Sequence, residues 1–195
     1  GHTAETSIAD GDLVLIHDAS ASALRKMTKA NFVSGIGGVA MSDIFRLSAN
    51  LSFNSSNTAA ITANLERDDT SGAGFIGTGM SESSGIFTFP STGIYQVDFH
   101  PNFYRDGSSQ WIESQIQVTT NNSSYATLST NNLSINRVSS TNTYTAGSLS
   151  CVVDVTNTSN VKVRFMIAGA QGPIIMLGNS TKNITNMIFT KLGDT

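Results

Sequence analysis

A chain of 195 residues with 11 basic and 14 acidic side chains, net charge −3 and 13% charged residues has no general attraction for nucleic acid or an anionic membrane surface. No apolar run approaches the ~18 residues of a membrane-spanning helix, so no membrane insertion is expected, and the one cysteine, Cys151, excludes an internal disulfide. Gly, Ser, Thr and Asn crowd residues 54–58, 119–124 and 139–145, which favours turns and exposed β-surface over long helices.

Residues 1–38 read as a small strand-plus-short-helix module. Leu13, Val14, Leu15 and Ile16 form an apolar strand, residues 18–22 a small-residue turn, and Leu24 and Met27 flank the basic pair Arg25 and Lys26. Thr28 is placed to cap a helix of one or two turns through Lys29, Ala30, Asn31, Phe32 and Val33, which Gly35 ends. Gly35, Gly37 and Gly38 make a joint to the rest. An acidic turn, an apolar strand ending in Asp and a Leu-Lys-x-Thr strand before a short helix resemble segments that recur in virion and tail-fibre proteins of tailed bacteriophages. Asp12, residues 13–16, Asp18, Leu24, Lys26 and Thr28 carry that resemblance. It implies an anchoring or trimerisation module, which docks on itself in an oligomer or in which Leu13, Leu15, Arg25, Lys26 and Lys29 meet another virion protein, a tail adaptor, nozzle or capsid component. With so few large apolar side chains the module is marginal alone, so it orders by docking.

In residues 39–195, the stretch 44–53 alternates Phe45, Leu47, Ala49 and Leu51 against Arg46, Ser48 and Asn50, which predicts one long first strand. Residues 61–65 predict a second, followed by a glycine-rich connection through Asp68 and Asp69 that wraps the outside. Residues 84–99 organise the whole of this region. Ile86, Phe87 and Phe89 read as a strand, residues 90–93 as a turn built on Pro90 and Gly93, and Tyr95, Val97 and Phe99 as the inward face of a second strand whose outer face is Gln96, Asp98 and His100. The two read as a hairpin. Similar alternation places Ile112, Ser114, Ile116 and Val118 on one face, likewise Leu149, Cys151, Val153 and Val155, and Val161, Val163, Phe165 and Ile167.

Phe87, Pro90, Gly93 and Tyr95 follow the spacing F-x-x-P-x-x-G-x-Y, and with the closing strand over residues 184–192 they resemble the jelly-roll head of tumour-necrosis-factor and complement-type globular domains. The resemblance spans residues 44–193. It implies an all-β, antiparallel jelly-roll sandwich that forms a homotrimer, with the sheet carrying the terminal strand packed around the threefold axis. Met187, Ile188 and Phe189 put apolar groups on both faces of that strand, which fits either a symmetry axis or a central strand. Pro173, Ile174, Ile175, Met176 and Leu177 form a second apolar run suited to association. The expected trimer interface is therefore Ile174, Ile175, Met176, Met187 and Phe189.

The chain lacks a Gly-x-Ser-x-Gly elbow, a phosphate-binding Gly-rich Lys loop, a His-Glu-x-x-His and a zinc-spaced cysteine pair. We expect no enzyme, no cofactor and no resident metal. Asp98 and His100 could approach one cation, as could Asp68 and Asp69, but a polar outer strand face and solvated loop acids account for them. Tyr104, Arg105, Asp106 and Trp111 are the best recognition candidates, because an exposed aromatic ring can stack on a sugar while Arg and Asp bind its hydroxyls. The two resemblances together imply a virion structural protein, a homotrimeric tail fibre or spike whose head binds a host-surface glycan or protein. A capsid decoration protein is the alternative, and a polysaccharide-depolymerising tailspike the third.

Overall fold

The computed structural model describes residue 9 and residues 11–33, 38–54, 58–138, 140–170 and 172–195; the helix stop at Gly35 and the joint at Gly37 lie outside the described residues. The chain divides into two compact units, Gly1–Gly38 and Val39–Thr195.

In the first unit, β1 (Leu13–Asp18) and β2 (Ala23–Thr28) form an antiparallel hairpin in register from Leu13 opposite Thr28 to Asp18 opposite Ala23. The Asp18 carboxylate builds the turn by accepting from Ser20 N at 3.0 Å, Ser20 Oγ at 2.6 Å and Ala21 N at 3.1 Å. Thr28 Oγ1 accepts from Asn31 N at 3.3 Å and caps the short helix α1 (Lys29–Val33).

The second unit is built of strands: β3 (Ser42–Leu47), β4 (Leu51–Phe53), β5 (Ala59–Ala60), β6 (Leu65–Arg67), β7 (Ser81–Ser83), β8 (Ile86–Thr88), β9 (Gly93–His100), β10 (Asn102–Arg105), β11 (Ser109–Thr119), β12 (Tyr125–Ile135), β13 (Thr143–Ala146), β14 (Leu149–Val155), β15 (Lys162–Ala170), β16 (Ile174–Met176) and β17 (Asn186–Gly193). Every strand pairing is antiparallel. A five-stranded sheet runs β14-β9-β17-β3-β6, a six-stranded sheet β12-β11-β15-β8-β7 with β5 beside β15, and a four-stranded sheet β13-β10-β16-β4. Phenylalanine rings join the two larger sheets. Phe45, Phe99 and Phe189 project from the five-stranded sheet and Phe87 and Phe165 from the six-stranded one, with Phe87 5.1 Å from both Phe45 and Phe189 and Phe165 5.0 Å from Phe99. This is an all-β antiparallel jelly roll.

The inward faces read from β9, β11, β14 and β15 hold, but the hairpin over residues 84–99 does not form. β8 pairs with β7 and β15, whereas β9 pairs with β14 and β17. The Pro90 turn therefore carries the chain across the sandwich. Phe89 packs on Tyr95 at 4.7 Å, and the Tyr95 hydroxyl donates to Ser91 O at 3.0 Å, which closes the corner. Gly93 has φ +143°, and a Cβ there would lie 2.6 Å from Gly193 O.

The single strand expected over residues 44–53 is likewise two. β3 and β4 belong to different sheets, because the chain bends at residues 48–50, where Ser48 N donates to Asn64 O at 2.8 Å. The strand expected at 61–65 is replaced by β5 and β6 on either side of a bend that contains Asn64 at φ +58°.

The expected interface runs are corrected most. Ile174, Met176, Met187 and Phe189 are buried in the chain's own core, at 0–1% exposure, so they cannot form a subunit interface. The strands alternate, and the outward residues are their neighbours Ile175 and Ile188, both half-buried. β17 is central, paired on one side with β9 and on the other with β3.

Arg46, placed by alternation on the solvent side, is 0% exposed. Its Nε donates to Glu66 Oε1 at 2.8 Å, Nη1 to Asp68 Oδ1 at 2.6 Å and Thr70 Oγ1 at 2.5 Å, and Nη2 to Asp69 Oδ1 at 2.6 Å and to the Ser180 carbonyl. The connection after β6 and the segment before β17 are folded over this outer edge of the sheet and held by one guanidinium. On the inner side Asp43, also buried, accepts from Arg67 Nε at 2.9 Å and Met80 N at 2.7 Å, and Arg67 lies over the rings of Phe45 and Phe75.

Burial alone would raise the Asp68 carboxyl, but hydrogen bonds from Asn183 and Thr70 and the charge of Arg46 outweigh it and hold the group below its ordinary value. Its stabilisation is complete above the unfolded carboxyl range near pH ~4 and is lost as pH falls through the depressed folded value. Urea unfolding as a function of pH should show this loss in the wild type and a shallower decline in Asp68→Asn. In the same assay Phe99→Ala should lower the unfolding free energy by about 3–5 kcal/mol, against at most about 0.5 kcal/mol for Gln96→Ala.

Candidate recognition surface

The four-stranded sheet turns Phe103, Ile174 and Met176 into the core. Alternation then directs Tyr104 and Ile175 outward. The pairings Tyr104 opposite Tyr144, Tyr104 opposite Ile175, and Ile175 opposite Ser52 set four side chains in one row across β13, β10, β16 and β4. The rings of Tyr104 and Tyr144 are 5.6 Å apart and tilted by 42°, and Tyr144 is 64% exposed. Beside them lies a groove of about 430 Å³ lined by Ser52, Asn54, Tyr104, Arg105, Asp106, Asn142 and residues 173–175.

Tyr104, Arg105 and Asp106 thus meet at one place. The Arg105 guanidinium is packed on two glycine backbones, so closely that a Cβ at Gly172 (φ +85°) would lie 2.1 Å from Nη1. Asp106 Oδ1 pairs with Arg137 Nη2 at 3.1 Å. Trp111 is elsewhere: it is 40% exposed on β11, with its ring on Gly169 of β15, where a Cβ would approach to 2.1 Å. Sequence reading missed Ser52 and Asn54 as members of the groove, which Tyr144 adjoins through its contact with the Tyr104 ring. Tyr144 did carry a signal, as the one ring in a short polar alternating run.

The other candidates separate. Asp98 accepts from Gln96 Nε2 at 3.1 Å, and among the described residues no three His, Cys, Asp or Glu side chains gather around a cation position. Asp68 and Asp69 both pair with Arg46, Asp68 with its side chain only 10% exposed and Asp69 still a solvated loop acid at 81%. On the hairpin of the first unit, Leu13, Leu15 and Leu24 are exposed beside Lys26, while Arg25 Nε pairs with Asp18 at 2.9 Å. Lys29 is half-buried at the start of α1, and its N–H donates to Asp12 O at 2.8 Å.

No family model and no curated protein matches the sequence. Among solved structures the chain is similar to the Eiger TNF from S. frugiperda, at 12% identity over 81% of this chain and 96% of that one, with a TM-score of 0.54. It is also similar to murine APRIL at pH 5.0, at 15% identity over 77% and 99% with a TM-score of 0.48, and to the PRD1 vertex protein P5, at 15% identity over 80% and 100% with a TM-score of 0.42. The first likeness shows a tumour-necrosis-factor-type jelly-roll fold; the other two are too loose to bear on function.

Cys151 is half-buried on β14, and its thiol is pushed up to about 11 by burial and by the nearby charge of Asp98. It should react with a disulfide reagent at pH 7 about a hundredfold or more slower than free cysteine, with the rate recovering in denaturant; a fast native reaction would contradict this placement.

Proposed function

We propose that this chain is a homotrimeric structural protein of a bacteriophage virion, without enzymatic activity, whose jelly-roll head contacts the host surface. Its residues 1–38 join it to another virion protein. The observation that carries the trimer is the outward face of the five-stranded sheet. Strand register aligns Ser150, Asp98, Ile188 and Ile44 in one row and Val152, Gln96, Thr190 and Ser42 in the next. Two isoleucines at the centre of a broad sheet face, flanked by the Asp98 carboxylate, by the polar Ser150, Gln96, Thr190 and Ser42, and by the exposed Val152, make a surface that a second copy can cover.

This is the sheet that the resemblance to tumour-necrosis-factor-type heads sets around the threefold axis, and the fold likeness supports that use of it. The virion assignment rests on the resemblance of the first unit to phage segments. Leu15 and Leu24, each 68% exposed, lie on the same face of β1 and β2 as Lys26. A lone two-stranded hairpin is marginal in water and gains stability by docking. That face would serve equally on a tail adaptor or on a capsid shell, so a decoration protein of the same architecture is the second reading.

Sedimentation equilibrium should give a trimer for the full chain and for a chain without residues 1–38. Ile188→Asp should reduce both to monomers by placing a charge at the interface centre. A monomeric wild type would remove the proposal's main support. Binding of the purified trimer to host bacteria, with protection from infection, separates attachment from decoration, which predicts binding to emptied capsids.

A further inference from the structure

On the reading of the head as the host-contacting part, we infer that the groove beside Tyr104 and Tyr144 is a subsite for a neutral pyranose ring of a surface saccharide. Three observations converge there. Two tyrosine rings stand side by side on adjacent strands, 5.6 Å apart, one of them largely exposed, and form an amphipathic platform for the C–H face of a sugar. The platform continues along the same row into the half-buried Ile175 and the exposed Ser52, so apolar contact passes directly into a hydroxyl. The groove is also lined by Asp106, Asn142, Asn54 and Arg105, whose side chains between them can accept hydrogen bonds from and donate them to ring hydroxyls.

The groove's volume, about 430 Å³, falls within the roughly 300–1,000 Å³ of small-molecule sites. One arginine and one aspartate line it, so the lining residues themselves carry no net formal charge. Arg105 is held against the backbones of Gly107 and Gly172, and Asp106 is held by Arg137. The polar groups are thereby set before a ligand arrives, which lowers the ordering cost of a weak, shallow contact. Trimerisation would present three copies and raise the avidity on a polysaccharide surface.

The test uses the full-length protein with assigned tyrosine ring resonances. Glucose, galactose and N-acetylglucosamine serve as neutral probes and glucuronic acid as the acidic one. Saturable shifts of the Tyr104 and Tyr144 rings with at least one neutral probe at millimolar concentration are expected. Tyr104→Ala or Tyr144→Ala should weaken binding about tenfold, with the trimer retained. Tyr144→Phe, which keeps the ring, should hold affinity within about threefold and guards against a trivial folding defect. The inference is overturned by the absence of any saturable shift, by shifts that survive both alanine substitutions, or by glucuronic acid binding alone. Cell attachment tells its failure from that of the attachment reading. If the double alanine variant attaches to host bacteria as well as the wild type, attachment stands and the sugar site falls. If sugars bind while the wild type attaches to no host bacteria, the sugar site stands and attachment falls.

Discussion

The head depends on one contact: the meeting of phenylalanine rings from both large sheets around Phe87, Phe165 and Phe189. Each of these three rings lies within about 5–6 Å of two or more other phenylalanine rings, in edge-on and tilted arrangements that aromatic quadrupoles favour. Because side chains alternate along a strand, fixing Phe45, Phe99 and Phe189 inward fixes Ile44, Asp98 and Ile188 outward. The surface offered to a partner is thus the complement of the core. The smaller sheet repeats the relation, with Phe103 and Met176 inward and Tyr104 and Ile175 outward.

Charge inside the fold follows a different logic. Arg46 and Asp43 lie on opposite faces of β3, and both are sealed from water. Burying either alone would be costly, but each is met by several partners drawn from one stretch of chain, residues 66–80. That stretch has little regular structure of its own. Its course is set by the two arginines and by glycines such as Gly77 and Gly79, whose positive φ lets the backbone pass close to Ala40 and Asp43. A hydrophobic exchange at Arg46 would leave Asp68 without its cation and free the loop. The ion pairs specify where the loop lies more than they add stability.

Strand faces were legible in the sequence wherever large apolar residues recur with period two, as at Tyr95, Val97 and Phe99 or at Ile112, Ile116 and Val118. Such a pattern fixes a side, though not a neighbour. The Pro90 turn therefore read as a hairpin although its strands join different sheets, since nothing local distinguishes a tight turn from a corner. Met187 to Phe189 and Ile174 to Met176 read as interface because continuous apolar runs look alike on a central strand and on an associating one. Their alternation appears only once pairing is known. The groove was half legible. Tyr104, Arg105 and Asp106 are adjacent in sequence, whereas Ser52 reaches the groove, and Tyr144 the Tyr104 ring beside it, from remote strands through register alone. Arg46 left a trace that alternation hid: one arginine in an apolar strand, with Glu66, Asp68 and Asp69 about twenty residues on.

The place of β17 bears on how the head is made. It is the shared neighbour of β9 and β3, both synthesised well before it. Until β17 leaves the ribosome, those strands carry unpaired edges and a partly bare aromatic layer, the conditions under which nascent chains capture one another. Closure of the sandwich is therefore timed by the arrival of β17 rather than by local folding.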